Sequence, residues 1–361
     1  MVEVPDERKV AYNILGRSGL KVANICLGTM TFGSAGSELP GQATEEYSHQ
    51  VLDRYVQWGG NFLDTADVYT QGLSEKFIGS WLAKQTRDKI VVATKVRGAN
   101  NSGVGLGRRH IVQSIQDSLE RLQTDYVDLY QMHLWDYGTP IEETLRTFDD
   151  LVRCGKARYI GASNVVGWQL QKIVCTSEKL GLNPFVSLQQ QYSLLCRETE
   201  FESLQVCKIE GLGVLPWSPL KGGLLSGKYT RESPPTTGRH GWRRQNDAGS
   251  WNTVQEDNQI WAIMDAVRDI ANTRGKSMAQ VSLRWLLQKD VVPSVIIGAT
   301  TLEQLDDNLG AASGWTLSSE EMARLDEVSQ PSVPYPYEIV WRLNKSRRNP
   351  YQSSYFVSNS D

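Results

Sequence analysis

Short apolar runs rich in β-branched residues recur along the chain, and longer stretches with apolar residues three or four positions apart separate them. The first pattern is typical of buried strands, and the second is typical of amphipathic helices. The predicted strands cover residues 24–27, 61–64, 90–95, 127–133, 158–163, 186–190, 214–218 and 294–297. The predicted helices cover residues 45–58, 74–84, 108–122, 141–154, 166–180, 199–210, 256–274 and 278–288.

The alternation of eight strands with helices predicts an α/β fold with a parallel sheet, either doubly wound or closed as a (β/α)8 TIM barrel. A barrel needs about 250 residues, so a chain of 361 residues has a surplus. We expect that surplus to form an N-terminal hairpin that turns at residues 16–19, a long loop over 220–254 after strand 7, and a C-terminal tail over 331–361. No linker divides the chain, so we expect residues 1–361 to form a single domain with its core at about 10–330.

Composition and charge exclude several classes of protein. Lysine and arginine number 38 against 41 aspartate and glutamate, and this balance argues against a general nucleic-acid binder. No apolar run approaches the roughly 20 residues of a membrane helix, and the first residues lack the apolar region of a secretory signal. Five cysteines without CxxC pairing fit a reducing compartment, so we expect a cytoplasmic protein. The four histidines lack zinc-ligand spacing, so no metal site is expected.

Polar side chains stand where the predicted strands end. Asp64, Lys95 and His133 close three successive strands, and the next three strands end in Ser163 and Asn164, in Gln189, and in Trp217 and Ser218. In a parallel barrel these carboxyl ends meet at one rim, where the active sites of this fold are built. A lysine at the inner end of a strand is costly unless it is paired, and Asp64 on the neighbouring strand can pair with it. Each residue alone also has a structural interpretation, such as a helix cap or a buried histidine, but six strand ends together favour a functional site.

Tyr69 lies five residues beyond Asp64, on the loop after the same strand. A phenol has an ordinary pKa of about 10 and is too weak an acid at neutral pH unless its phenolate is stabilised. A nearby lysine ammonium lowers that pKa, and a carboxylate holds the lysine in place. A histidine can then hydrogen-bond a carbonyl oxygen as that oxygen gains negative charge. These residue types suit protonation of a carbonyl oxygen while hydride arrives at the carbon.

The same residues carry a resemblance to a known family. The segment NFLDTADVY at 61–69, followed by GLSE at 72–75, resembles the aldo-keto reductase signature. Later signatures match in order at ATK (93–95), QMH (131–133), GASN (161–164), WSPL (217–220) and IGAT (297–300). The resemblance covers about residues 10–330 and is greatest to the branch that contains bacterial general aldehyde reductases and the potassium-channel β subunits.

The resemblance implies a role for each site residue. Tyr69 is the implied proton donor, Lys95 and Asp64 tune its acidity, and His133 orients the carbonyl group. The substrate pocket is expected to include Met30, Tyr69, His133 and Trp135. The implied contacts to a nicotinamide cofactor are Thr29, Met30, Asp64, Ser163, Asn164, Gln189, Trp217, Ser218, Leu220, Gly222, Gly298, Thr300, Gln304, Asp307 and Asn308.

The cofactor is expected to be NADPH rather than NADH. A 2′-phosphate is best held by arginine or lysine, and Gly298 and Gln304 supply no cation. Lys228 and Arg239 of the long loop are therefore the expected phosphate contacts. Asp307 is shorter than the glutamate usual at its position, which weakens the expected adenine contact.

The predicted activity is NADPH-dependent reduction of small aldehydes or reactive ketones, sugar-derived carbonyl compounds included, to alcohols. The alternative is an NADP(H)-binding regulatory subunit or redox sensor of the channel β-subunit type with little turnover. Those subunits usually carry asparagine where this chain has His133. The presence of all four residues of the set, Asp64, Tyr69, Lys95 and His133, therefore favours an enzyme. The oligomeric state stays open, as does the placement of the tail over the site, at the barrel bottom or in a subunit contact.

Overall fold

The computed structural model describes residues 9–33, 41–100, 102–233, 235–236, 238, 240–242 and 249–344. An antiparallel hairpin comes first, formed by β1 (Tyr12–Ile14) and β2 (Lys21–Ala23), so the predicted hairpin is confirmed. Its turn presses against the barrel bottom. A Cβ atom on Gly16 would lie 2.3 Å from the carbonyl oxygen of Val186, and the backbone of Gly16 has a φ of +54°, so only glycine fits this position.

Eight parallel strands follow, each close to its predicted bounds. They are β3 (Ile25–Gly28), β4 (Phe62–Asp64), β5 (Val91–Val96), β6 (Val127–Met132), β7 (Ala157–Ser163), β8 (Phe185–Gln191), β9 (Gly213–Trp217) and β10 (Val295–Ile297). Each strand pairs with its sequence neighbour, and β10 pairs with β3. The amide of Val214 donates to the carbonyl of Val291 at 2.7 Å across the remaining seam. This order forms a nearly closed (β/α)8 barrel and excludes the doubly wound alternative.

The helices of the described residues surround the barrel. They are α1 (Glu45–Gln57), α2 (Leu73–Leu82), α3 (Arg108–Leu122), α4 (Ile141–Arg153), α5 (Gly167–Lys179), α6 (Ser203–Glu210), α7 (Gly249–Glu256), α8 (Asn258–Arg274), α9 (Met278–Leu287), α10 (Leu302–Leu309), α11 (Ser319–Val328) and α12 (Tyr337–Asn344). Within the described part of the chain, no helix combines the length and apolar character needed to cross a membrane.

Two predicted helices differ from the structure, and part of the predicted long loop is helical. The stretch 199–210 is divided into a 3₁₀ turn at Glu198–Glu200 and helix α6. Helix α8 starts only after Asp257, whose side chain accepts hydrogen bonds from the amides of Gln259 and Ile260 and so caps the helix. The predicted long loop contains a 3₁₀ segment at Lys221–Ser226 and most of α7, and its residues 234, 237, 239 and 243–248 lie outside the described part.

The barrel interior explains why polar groups gather at one end. Successive side chains of a strand point to opposite faces, so every second residue faces inward. Phe62, Ala93 and Leu129 belong to an apolar cluster that also contains Leu15 and Val22 of the hairpin. The next inward positions toward the carboxyl ends are polar: Asp64 on β4, Lys95 on β5 and Gln131 on β6. The interior is thus apolar at the bottom and polar at the rim.

The described part of the tail packs beside the rim. The aromatic rings of Tyr337 and Trp341 on α12 stack on Phe201, with centroid distances of 5.3 and 5.8 Å. Phe201 lies in the connection that follows the carboxyl end of β8. The sequence left open whether the tail lies over the site, at the barrel bottom or in a subunit contact. The contacts of α12 lie on the carboxyl side of the barrel and not at its bottom.

Candidate active site

Lys95 and Asp64 form a buried ion pair inside the rim. The Lys95 Nζ atom lies 2.6 Å from Asp64 Oδ2 and 2.7 Å from the carbonyl oxygen of Thr65. The Lys95 side chain has no exposed surface, and the Asp64 side chain is 3% exposed. Buried charges need a partner of opposite sign and further hydrogen bonds, and this ammonium has both. The pairing of Lys95 with Asp64 that the sequence predicts is present.

Two glutamines hold the second oxygen of Asp64. Gln189 Nε2 donates to Asp64 Oδ1 at 2.8 Å, and Gln131 Nε2 lies 3.3 Å from the same atom. Gln131 is fully buried and was not among the predicted site residues. The sequence feature that could have identified Gln131 is its polar side chain at an inward position of a buried strand, two residues before His133. The two amides fix the carboxylate and thereby the ammonium of Lys95.

The loop after β4 brings Tyr69 to the same ammonium. The Asp67 amide donates to the Lys95 carbonyl at 3.2 Å, and the Tyr69 amide donates to the Ala66 carbonyl at 3.2 Å. The following residue, Thr70, has a φ of +46°, and its hydroxyl donates to the carbonyl of Phe32. As a result, Lys95 Nζ lies 3.2 Å from the Tyr69 hydroxyl oxygen.

Burial and charge act in opposite directions on this pair. Burial raises the pKa of the Tyr69 phenol and outweighs the Lys95 ammonium, which lowers it, so the net direction is upward. The lysine lowers that pKa as its position in the sequence predicts, but burial, which the sequence does not define, has the larger effect. Burial lowers the pKa of Lys95, but Asp64 and Tyr69 outweigh it and the net direction is again upward. Both groups therefore hold their protons at neutral pH.

His133 faces Tyr69 as a neutral imidazole. The two rings meet edge to face with centroids 5.9 Å apart. Burial, together with the positive charges of Lys95 and Arg97, lowers the pKa of His133 to about 3. The carbonyl of His133 accepts a hydrogen bond from Asn164 Nδ2 at 2.9 Å, which ties the end of β6 to that of β7. A neutral imidazole at this position can donate one N–H to a substrate oxygen.

A cleft of about 680 Å³ opens at the rim beside these groups. Its described lining includes almost all the predicted site residues: Thr29, Met30, Asp64, Tyr69, His133, Asn164, Gln189, Trp217, Ser218, Leu220, Gly222, Lys228, Gly298, Thr300, Gln304, Asp307 and Asn308. Ser163 lies behind Asn164, whose Nδ2 is 3.0 Å from its hydroxyl. Trp135 packs edge to face on Trp168 at 5.5 Å outside the lining. Arg239 lies outside the described residues.

The wall of the cleft beyond Tyr69 has the chemistry of a dinucleotide site. Trp217 presents a flat indole whose Nε1 donates to Asn164 Oδ1 at 3.1 Å. After it, Lys221, Gly222 and Gly223 have φ values of 49°, 67° and 92°, and backbone of this kind can turn successive amides toward an anion. Apart from its two chain neighbours, no atom of the described residues lies within 4 Å of where a Cβ on Gly298 would stand, so the chain after β10 is open to the cleft.

The far end of the cleft lies at the start of α10. The side chain of Gln304 accepts hydrogen bonds from the amide and the hydroxyl of Thr300, at 3.1 and 2.9 Å. Asp307 is held by Ser277, whose hydroxyl donates to its carboxylate at 2.8 Å. The amides at a helix start favour negatively charged groups. A flat aromatic wall, carboxamides, turned amides and a helix start together fit a nicotinamide dinucleotide.

The chain is similar to known oxidoreductases over most of its length. Residues 24–330 match the model of the Aldo/keto reductase family. The chain is 36% identical to an uncharacterized oxidoreductase, YrpG, of Bacillus subtilis, over 91% of this chain and 99% of that protein. It is 35% identical to the versiconal hemiacetal acetate reductase of Aspergillus parasiticus, over 91% and 99%, and 34% identical to protein tas of Escherichia coli, over 88% and 97%. The chain belongs to the aldo/keto reductase family.

Proposed function

We propose that the protein is an NADPH-dependent reductase that converts aldehydes or reactive ketones to alcohols, with Tyr69 as the proton donor. The observation that carries the proposal is the buried series Asp64–Lys95–Tyr69, in which 2.6 Å and 3.2 Å contacts end at a hydroxyl in the wall of the cleft. Family membership supports oxidoreductase chemistry in general. The residues of the cleft support the choice of NADPH as cofactor and of Tyr69 as proton donor.

Different residues of the cleft are proposed to bind different parts of the cofactor. Asn164, Ser163 and Gln189 are proposed to bind the carboxamide of the nicotinamide, and Trp217 to cover one face of its ring. The turned backbone of Ser218, Leu220 and Gly222 is proposed to bind the pyrophosphate. Residues at the end of β10 and on α10 are proposed to hold the adenosine half: Gly298, Thr300, Gln304, Asp307 and Asn308. When bound, the dihydronicotinamide supplies the hydride.

Side chains of the protein deliver the proton and stabilise the negative charge that its transfer leaves behind. His133, neutral because of its lowered pKa, donates an N–H to the carbonyl oxygen and orients it. Tyr69 gives its proton to that oxygen as negative charge develops there, and its phenolate is then held by the Lys95 ammonium. Asp64, fixed by Gln189 and Gln131, keeps the ammonium in place through the step.

The preference for NADPH over NADH rests on Lys228. It is the one cationic residue in the described lining of the cleft, and its Nζ lies 4.9 Å from the centre of the Tyr229 ring. A lysine on an exposed loop can meet a 2′-phosphate without the cost of burying its charge.

A substrate panel tests the proposed function. NADPH oxidation is followed with short aliphatic aldehydes, aromatic aldehydes, α-dicarbonyls and aldehyde sugars, each with a no-protein control. We expect turnover with at least one of these classes and slower turnover with NADH. Tight NADPH binding without turnover on any of them would contradict the proposal and favour a regulatory, cofactor-sensing protein.

A further inference from the structure

His240 is a buried histidine that bonds to the backbone of the pyrophosphate turn, the residues 218–223 at the edge of the cleft. Its Nε2 atom lies 2.8 Å from the carbonyl oxygen of Lys221, and the residue is 8% exposed. A carbonyl oxygen only accepts, so Nε2 carries the hydrogen and donates it. None of the sequence motifs described above includes this residue.

Aromatic side chains hold the His240 ring in place. The ring meets Tyr229 edge to face with centroids 5.5 Å apart, and it meets Trp251 of α7 edge to face at 6.3 Å. Trp251 in turn lies 6.4 Å from Trp261 of α8. Tyr229 and Trp251 are both buried. The imidazole is therefore supported by side chains from separate stretches of the chain.

The carbonyl that His240 holds belongs to a turn in an uncommon conformation. Lys221 has a φ of +49°, in the left-handed region that is unfavourable for a residue with a Cβ atom. Within the turn, the Lys221 amide donates to the Ser218 carbonyl at 2.9 Å. The Gly223 amide donates to the Leu220 carbonyl at 3.0 Å. The Lys221 carbonyl, by contrast, is held from outside the turn, by His240.

The bond to His240 determines which way the next amide points. The peptide between Lys221 and Gly222 is trans, and the C=O and N–H groups of a trans peptide point in opposite directions. The Gly222 amide hydrogen is therefore directed away from His240. Gly222 belongs to the described lining of the cleft, whereas Lys221 and His240 do not.

We propose that His240 is a positioning residue for the cofactor, which turns the Gly222 amide toward the pyrophosphate by holding the Lys221 carbonyl. The inference rests on the proposed function, because it concerns the dinucleotide of that reaction. Without this bond the peptide after Lys221 can rotate, and its amide has to be ordered when the cofactor binds, which lowers affinity. NADPH and NADH share the pyrophosphate, so the loss should be the same for both.

His240→Gln and His240→Met form a matched pair of variants. Both remove the imidazole from the aromatic rings and have side chains of similar length, but only glutamine can donate to the Lys221 carbonyl. The Kd values for NADPH and NADH are measured by fluorescence titration. We expect both values to be about tenfold higher in His240→Met than in His240→Gln, and His240→Gln to stay within about threefold of wild type.

Equal Kd values in the two variants would overturn the inference, because loss of the aromatic packing affects both. A loss confined to NADPH would also overturn it, since His240 would then act on the 2′-phosphate contact. Titration needs no turnover, so cofactor binding without reduction of any carbonyl compound refutes the proposed reductase and still decides the role of His240. A protein that binds neither dinucleotide refutes both. If His240→Met does not fold, His240→Asn and His240→Leu, a shorter pair of the same design, take the same test.

Discussion

The Nζ atom of Lys95 lies 3.2 Å from the hydroxyl oxygen of Tyr69, although the two residues belong to different strand–loop units. The contact exists because the loop after β4 bends back over the end of β5, where the Asp67 amide bonds to the Lys95 carbonyl. An ammonium within hydrogen-bond distance of a phenol stabilises the phenolate more than the phenol. The Lys95 ammonium therefore favours loss of the proton from Tyr69, whereas burial of the phenol opposes that loss and raises its pKa.

Tyr69→Phe should remove reduction while leaving cofactor binding intact. The variant lacks only the hydroxyl, so we expect kcat to fall by about 10²–10⁴-fold, the usual contribution of a positioned proton donor. NADPH binding, measured by fluorescence titration, should change by less than about threefold. Tyr137→Phe is the control, since that tyrosine is 84% exposed and lies outside the cleft. Retention of turnover in Tyr69→Phe would show that another group donates the proton.

Lys95→Met should destabilise the folded protein. The substitution leaves the buried Asp64 carboxylate without its cation, and breaking such a pair costs about 3–5 kcal/mol. The free energy of unfolding in urea measures this loss. Adding Asp64→Asn removes the stranded charge, so the double variant should be more stable than Lys95→Met alone. If the two losses simply add, Asp64 and Lys95 are not energetically coupled and the ion pair is unimportant for stability.

Lys228→Met should weaken the binding of NADPH more than the binding of NADH. If Lys228 binds a 2′-phosphate, its loss should raise the Kd for NADPH by about tenfold and leave the Kd for NADH within twofold. The excess affinity for NADPH should also weaken as salt concentration rises. Lys84→Met, in the exposed turn after α2, controls for loss of a surface charge. Equal changes for both cofactors would assign the phosphate contact to another residue.

The fold and much of the site could be predicted because both follow from local patterns. Strand ends with polar residues at inward positions are visible along β4, β5 and β6, and the predicted bounds of these strands lie within one residue of the observed ones. Gln131 was missed because a single polar residue inside a strand has no local signal of its partner, here Asp64, 67 positions away.

Other features depend on contacts that no local pattern contains. Helix α12 depends on stacking of Tyr337 and Trp341 against the distant Phe201. The net rise in the pKa of Tyr69 required its burial, which only the folded chain defines. In each case the missing information was long-range packing.

His133→Asn should change how stability depends on pH. The pKa of His133 is about 3 in the folded protein and about 6.5 when unfolded, so the unfolded chain binds more protons between these values. The neutral histidine therefore favours folding above about pH 6.5, and that contribution is lost as pH falls toward 3. Urea unfolding of wild type and variant between pH 7 and 4.5 should show the wild type losing about 2–3 kcal/mol relative to His133→Asn. The other titrating groups largely cancel in this difference. A difference independent of pH would mean that His133 has the same pKa in the folded and unfolded protein, so that burial does not keep its imidazole neutral below about pH 6.5.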